Sequence, residues 1–166
     1  MEPGTMEDAS PFQSRNFVLR EAFRLAKHYG VDTDEVLRGI APEQAAIWRQ
    51  GGMLPADVGI AAVEAVAELS RRADFGLELG TQMDDRILAA ITVFLAHCTS
   101  LAQVCREVSN YMHVLYSGVR FWSPNDATSG ELRFEVQADV RRALPQYRNA
   151  MLVLPLRIFR QILGPA

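Results

Sequence analysis

Apolar residues repeat at helical spacing along most of this chain, and the spacing changes to two in one region only. Val18, Ala22, Leu25, Ala26 and Tyr29 form a helical stripe, widened by Leu19 and Phe23. Leu101, Val104, Cys105, Val108, Met112 and Leu115 form another, with Gln103, Arg106, Glu107, Asn110 and His113 opposite. Past Gly118 the pattern becomes alternation, in Val119-Arg120-Phe121-Trp122 and again in Glu131-Leu132-Arg133-Phe134-Glu135-Val136. Between these runs, Ser123–Gly130 carries turn chemistry in Pro124, Asn125, Asp126 and Gly130. One hairpin is not stable alone. It must pack on helices or pair with strands from elsewhere, including another chain. The fold expected is therefore α+β and mainly α-helical, with about six helices, a β-hairpin near the C-terminal third and a final helix.

The chain has 166 residues, a length that suits one domain with a real core. Residues 1–13 read as a flexible N-terminal tail and residues 14–166 as a single domain. Ser14 offers an N-cap to a first helix that Gly30 ends, and a short helix follows from Asp32 or Thr33 to Arg38. Pro42 to Gly52 reads as a connection anchored by Ile47-Trp48. Leu54-Pro55 opens a helix to about Arg72, with Glu68 and Arg72 as an i,i+4 ion pair. Phe75–Gly80 is a short helix or turn. Asp84-Asp85 reads as a cap before an apolar helix from Ile87 to Ala96, and Ser100 with Gln103 makes a capping box. Pro145 opens the last helix, in which Pro155 predicts a kink or break.

Several function classes are disfavoured. Lys+Arg number 17 against 20 Asp+Glu, a net charge of −3, so no basic face for nucleic acid is indicated. The Gly30 turn mimics a helix-turn-helix, but the second helix carries Asp32, Asp34 and Glu35 where phosphate contacts would sit. The longest apolar run, Ile87–Ala96, is too short to span a bilayer, and the acidic, polar start shows no secretion signal. A cytoplasmic location without membrane contact is expected. Cys98 and Cys105 read as buried reduced thiols, and with His28, His97 and His113 they form no metal spacing. Glu64, Glu68, Asp84, Asp85 and the histidines pair no nucleophile with a base. No enzyme, cofactor or metal is expected.

Several strings then match a known order. Gly30-Val31-Asp32 followed by Val36-Leu37, Leu54-Pro55 opening a helix, and above all Phe75-Gly76-Leu77-x-Leu79-Gly80 stand in sequence. The apolar helix from Ile87, Thr99-Ser100-Leu101 opening a long helix, a strand, turn and strand, and a helix ending Leu163-Gly164 complete it. Over roughly Val18 to Gly164 the chain resembles the N-terminal effector-binding (arabinose-binding type) domain of AraC-family bacterial transcription regulators. The family's usual glycine near Leu88 to Ala90 is absent. So are its further strand pair and its C-terminal domain with two helix-turn-helix motifs, and the domain is expected to be truncated relative to the family. The resemblance implies sensing of a small-molecule effector and homodimerisation, with control of a DNA-binding domain outside this chain. It implies no DNA contact by these residues.

Candidate ligand-binding residues lie at the junction of the long helix and the hairpin: Tyr111, Tyr116, Arg120, Trp122 and Arg133. Arginine can hold a carboxylate through two parallel hydrogen bonds, and tryptophan can cover an apolar chain. The plainer reading of each is packing at the edge of the helical stripe, or a cross-strand charge pair with Glu131 or Glu135. Leu152, Leu156 and Phe159 on the apolar last helix are the candidate dimer interface. That surface makes a ligand-free homodimerisation module the alternative reading.

Overall fold

The computed structural model describes residues 17–115, 119–124, 131–137 and 143–164. The expected tail, Ser14 as a cap, and Tyr116 lie outside the described residues. Helix α1, Phe17–His28, buries Val18, Leu19, Ala22, Phe23, Leu25 and Ala26, the stripe read from spacing. Gly30 follows it with φ of +72°, a left-handed position that suits glycine. Asp32 then caps α2, Thr33–Ile40, by accepting from the Asp34 N–H at 2.9 Å.

The stretch read as a connection is helical. Helix α3, Pro42–Arg49, starts with proline in the first turn and Glu43 beside it. It buries only Ala45 fully, and Trp48 meets Phe23 edge-to-face at 5.4 Å. So narrow an apolar anchor leaves little periodic signal. Eight helices stand among the described residues, where about six were expected.

Helix α4, Ala56–Leu69, is apolar on most sides and packs against α1, α2 and the last helix. It ends with Arg71 in the left-handed region at φ +54°. Arg72 does not take the expected ion pair with Glu68. It turns instead to Asp74 and Glu78, both at 3.2 Å, because the turn after α4 brings those carboxylates to it. Helix α5, Phe75–Gln82, buries Phe75 and Leu79 completely. Asp84 caps α6, Asp85–Leu95, accepting from the Arg86 N–H at 2.8 Å. Helix α7, Leu101–Leu115, opens on the expected cap: Ser100 Oγ accepts from the Gln103 N–H at 3.2 Å. Gln103 reaches back to the Thr99 N–H at 3.0 Å.

Strands β1, Val119–Trp122, and β2, Arg133–Val136, pair antiparallel, with Phe121 opposite Phe134 and Arg120 opposite Glu135. Phe121 and Val119 are buried, while Leu132, Phe134 and Val136 pack half-buried on the core, the inward set predicted by alternation. Helix α8, Pro145–Leu163, runs without a break through Pro155. Of the kink or break expected there, the break does not occur. The bond lost at residue 155 is offset by burial of Pro155 with Leu154 and Ile158.

Helices α5 and α8 pack closely because two glycines face α8. A Cβ at Gly76 would lie 2.0 Å from the Gln146 carbonyl oxygen, and one at Gly80 would lie 2.6 Å from Val153 Cβ. The α8 side chains then grip α5 at both ends. Gln146 accepts from the Gly76 N–H at 2.8 Å and donates to the Ala73 carbonyl at 3.0 Å. Arg157 donates to the carbonyls of Gly80 at 2.8 Å and Met83 at 2.9 Å. Glu64 of α4 accepts from the Tyr147 N–H at 2.8 Å, in the first turn of α8. It is the only buried charged side chain among the described residues, placed where the helix dipole favours an anion. By contrast, α7 packs chiefly on β1 and meets α8 sparingly.

Candidate functional site

A cavity of about 490 Å³ opens between α7 and the hairpin, within the size range of small-molecule sites. Helix α7 contributes Ser109, Asn110 and His113, β1 contributes Val119, Arg120, Phe121 and Trp122, and Ser123 and Gln137 lie beyond the strand ends. No carboxylate lines it among the described residues. Arg120 is exposed and makes no ion pair among the described residues, although Glu135 stands opposite it in register. Trp122 is half-buried beside it. The Ser109 hydroxyl donates to the Cys105 carbonyl at 2.7 Å, which leaves its oxygen with acceptor capacity only.

Two of the five residues proposed from sequence thus meet at one cavity, Arg120 and Trp122. Arg133 does not line it; its guanidinium contacts Glu131 at 2.6 Å, a pair two residues apart in the chain where one across the hairpin was expected. Tyr111 is exposed and stacks edge-to-face on Phe94 of α6 at 4.8 Å, away from the cavity. Tyr116 lies outside the described residues. Ser109, Asn110, His113 and Gln137 were not singled out as ligands from sequence. Their signal is faint, since polar residues opposite an apolar stripe look like a solvated face until a strand is laid beside them.

A second cavity of about 520 Å³ lies between the end of α4 and the start of α8, lined in part by Glu64, Glu68, Arg72 and Gln146. Much of its polar lining is engaged in holding helix ends, as the bonds of Glu64 and Gln146 show. Cys98 and Cys105 are both buried, and burial raises both thiols above their ordinary value, which keeps them protonated and poor nucleophiles. No group of three or more His, Cys, Asp or Glu is placed to hold a metal ion among the described residues. No helix among them is long and apolar enough to cross a membrane.

The model of the arabinose-binding domain of AraC transcription regulators, N-terminal, matches residues 30–166. The chain belongs to this family. The match leaves out α1 but covers α2 to α7, the hairpin and α8, and so both sides of the α7–β1 cavity. A comparison with curated proteins finds no match. The Phe75–Gly80 string that carried the resemblance now has a physical account within this family member. Its glycines are the positions where α8 leaves no room for a side chain. On the outer face of α8, Leu152 and Leu156 are 52% and 55% exposed, while Phe159 packs half-buried on the core.

Proposed function

We propose that this domain is the effector-sensing part of an AraC-type regulator, and that it binds a small molecule carrying a carboxylate in the α7–β1 cavity. The observation that supports this reading is Arg120, a guanidinium beside Trp122 that makes no ion pair among the described residues, at a cavity that none of their carboxylates lines. Arg120 holds the carboxylate, Trp122 covers an apolar portion, and Asn110 and His113 supply further polar contacts from α7. A ligand that prefers one arrangement of hairpin and α7 shifts the population of that arrangement. This change is what an attached or partner DNA-binding domain would read.

The test is a thermal melt with a panel of amino acids and short and long carboxylic acids. Binding to the native state raises the melting temperature, by an increment equivalent to about 2.7 kcal/mol at a hundredfold excess over Kd. Arg120→Ala is expected to abolish the shift without changing the melt of the free domain. A panel with no response, or a response unchanged in Arg120→Ala, would sink the assignment. The alternative, a ligand-free homodimerising module, draws support from the exposure of Leu152 and Leu156. Its signature is a mass that rises with concentration and ignores every compound.

A further inference from the structure

The outer face of α8 carries an apolar stripe with an unusual rim. Leu152, Leu156, Phe159 and Leu163 fall at i, i+4, i+7 and i+11 and so share one side of the helix. Leu152, Leu156 and Leu163 are 52%, 55% and 48% exposed. Arg148 and Arg160 lie roughly 50–70° to either side of the stripe's centre line at 100° per residue. Both are exposed, and neither makes an ion pair among the described residues. The helix contains no Asp or Glu from Pro145 to Leu163. Its remaining charged residue, Arg157, is turned to the α5 carbonyls.

This charge pattern discriminates between occupants. A second copy laid on the stripe through its own α8 brings two more exposed arginines to the rim and no carboxylate. Like charges then meet at the rim in either helix direction. An amphipathic helix with acidic flanks turns each of those encounters into an ion pair while covering the same leucines. We infer that the outer face of α8 is a docking surface for an acidic amphipathic helix of a partner protein, seated on Leu152, Leu156 and Leu163 between Arg148 and Arg160. The inference is independent of the ligand assigned to the α7–β1 cavity.

The experiment uses the full chain, labelled with 15N, and two synthetic helical peptides as long as α8. Both carry leucine at i, i+4, i+7 and i+11; one has glutamate on both flanks and the other lysine. Amide shifts are expected to centre on Leu152, Leu156 and Leu163, with the glutamate peptide at least about tenfold tighter and its advantage shrinking as salt rises. The double substitution Leu152→Ala/Leu156→Ala is expected to weaken it about tenfold or more. Arg148→Glu/Arg160→Glu is expected to reverse the preference between peptides. All four positions are exposed, so unchanged melting curves confirm that the variants fold. Equal binding of both peptides, or shifts centred elsewhere, would overturn the inference. So would a dimer of the free chain that Leu152→Ala/Leu156→Ala dissolves, which would give the surface to a second copy.

Discussion

The two faces of this domain's architecture differ in how their elements meet. At α5–α8 the contact is closed by missing side chains, Gly76 and Gly80, and locked by side chains bonded to helix ends. At α7–β1 the elements pack but leave a cavity along one side, and Arg120 at its edge makes no ion pair among the described residues. The first junction places its polar groups against backbone that would otherwise lack partners, which favours one rigid arrangement. The second leaves polar groups available to something outside the chain. Recognition is thus expected where the packing is incomplete, and stability where it is complete.

The largest predicted effect tests the closed side. Gly76→Ala places a methyl group against the Gln146 backbone, which cannot move without shifting α8. The expected cost is about 3 kcal/mol, at the upper end of overpacking penalties. Gly59→Ala is the control of opposite sign. Gly59 lies inside α4 with nothing within 4 Å of a Cβ, so the better helix former should stabilise by about 0.5–1 kcal/mol. Urea denaturation of both variants reads the two signs. Similar effects at the two glycines would mean that helix propensity, not the α8 contact, sets the cost.

That pair also shows what was legible beforehand. The α1 stripe, the Asp84 cap and the Ser100 cap are local, and spacing alone located them. The Phe75–Gly80 string was visible as a string, but its reason lies in α8, seventy residues downstream, where only tertiary packing can supply it. Arg72 illustrates the same limit: a local i,i+4 partner lost to Glu78 once the turn after α4 was formed. At the cavity, Arg120 and Trp122 were legible as cationic and aromatic side chains at the helix-to-hairpin junction. Tyr111 was chosen on the same grounds as its neighbours, yet sits one residue from Asn110. A step of about 100° around the helix carries it to Phe94 instead.

An intermediate effect is expected at the clamp. Arg157→Ala removes two charge-assisted bonds to the Gly80 and Met83 carbonyls. Water replaces part of what is lost because the site is only half-buried. The expected loss is about 1–2 kcal/mol, and Arg157→Lys should recover only part of it, since both bonds come from one terminal guanidinium nitrogen, Nη1, which the shorter lysine side chain does not reach as well. A loss near zero, measured by the same denaturation, would mean that the glycine contact alone holds α5 to α8.

The smallest effect on stability belongs to the same residue type on the open side. Arg120 is exposed on β1 and has no ion pair among the described residues, so its removal takes away no bonded partner. Arg120→Ala is expected to change unfolding free energy by no more than about 0.5 kcal/mol. Arg157→Ala and Arg120→Ala therefore form a matched pair, one arginine committed to the backbone and one with no ion pair among the described residues. If Arg120→Ala destabilises the free domain as much as Arg157→Ala does, the arginine is already structural, and the contrast between closed and open junctions fails at the residue that defines it. If it leaves stability intact while cancelling the response to carboxylates, the cavity gains its anion-holding group without any ambiguity from misfolding.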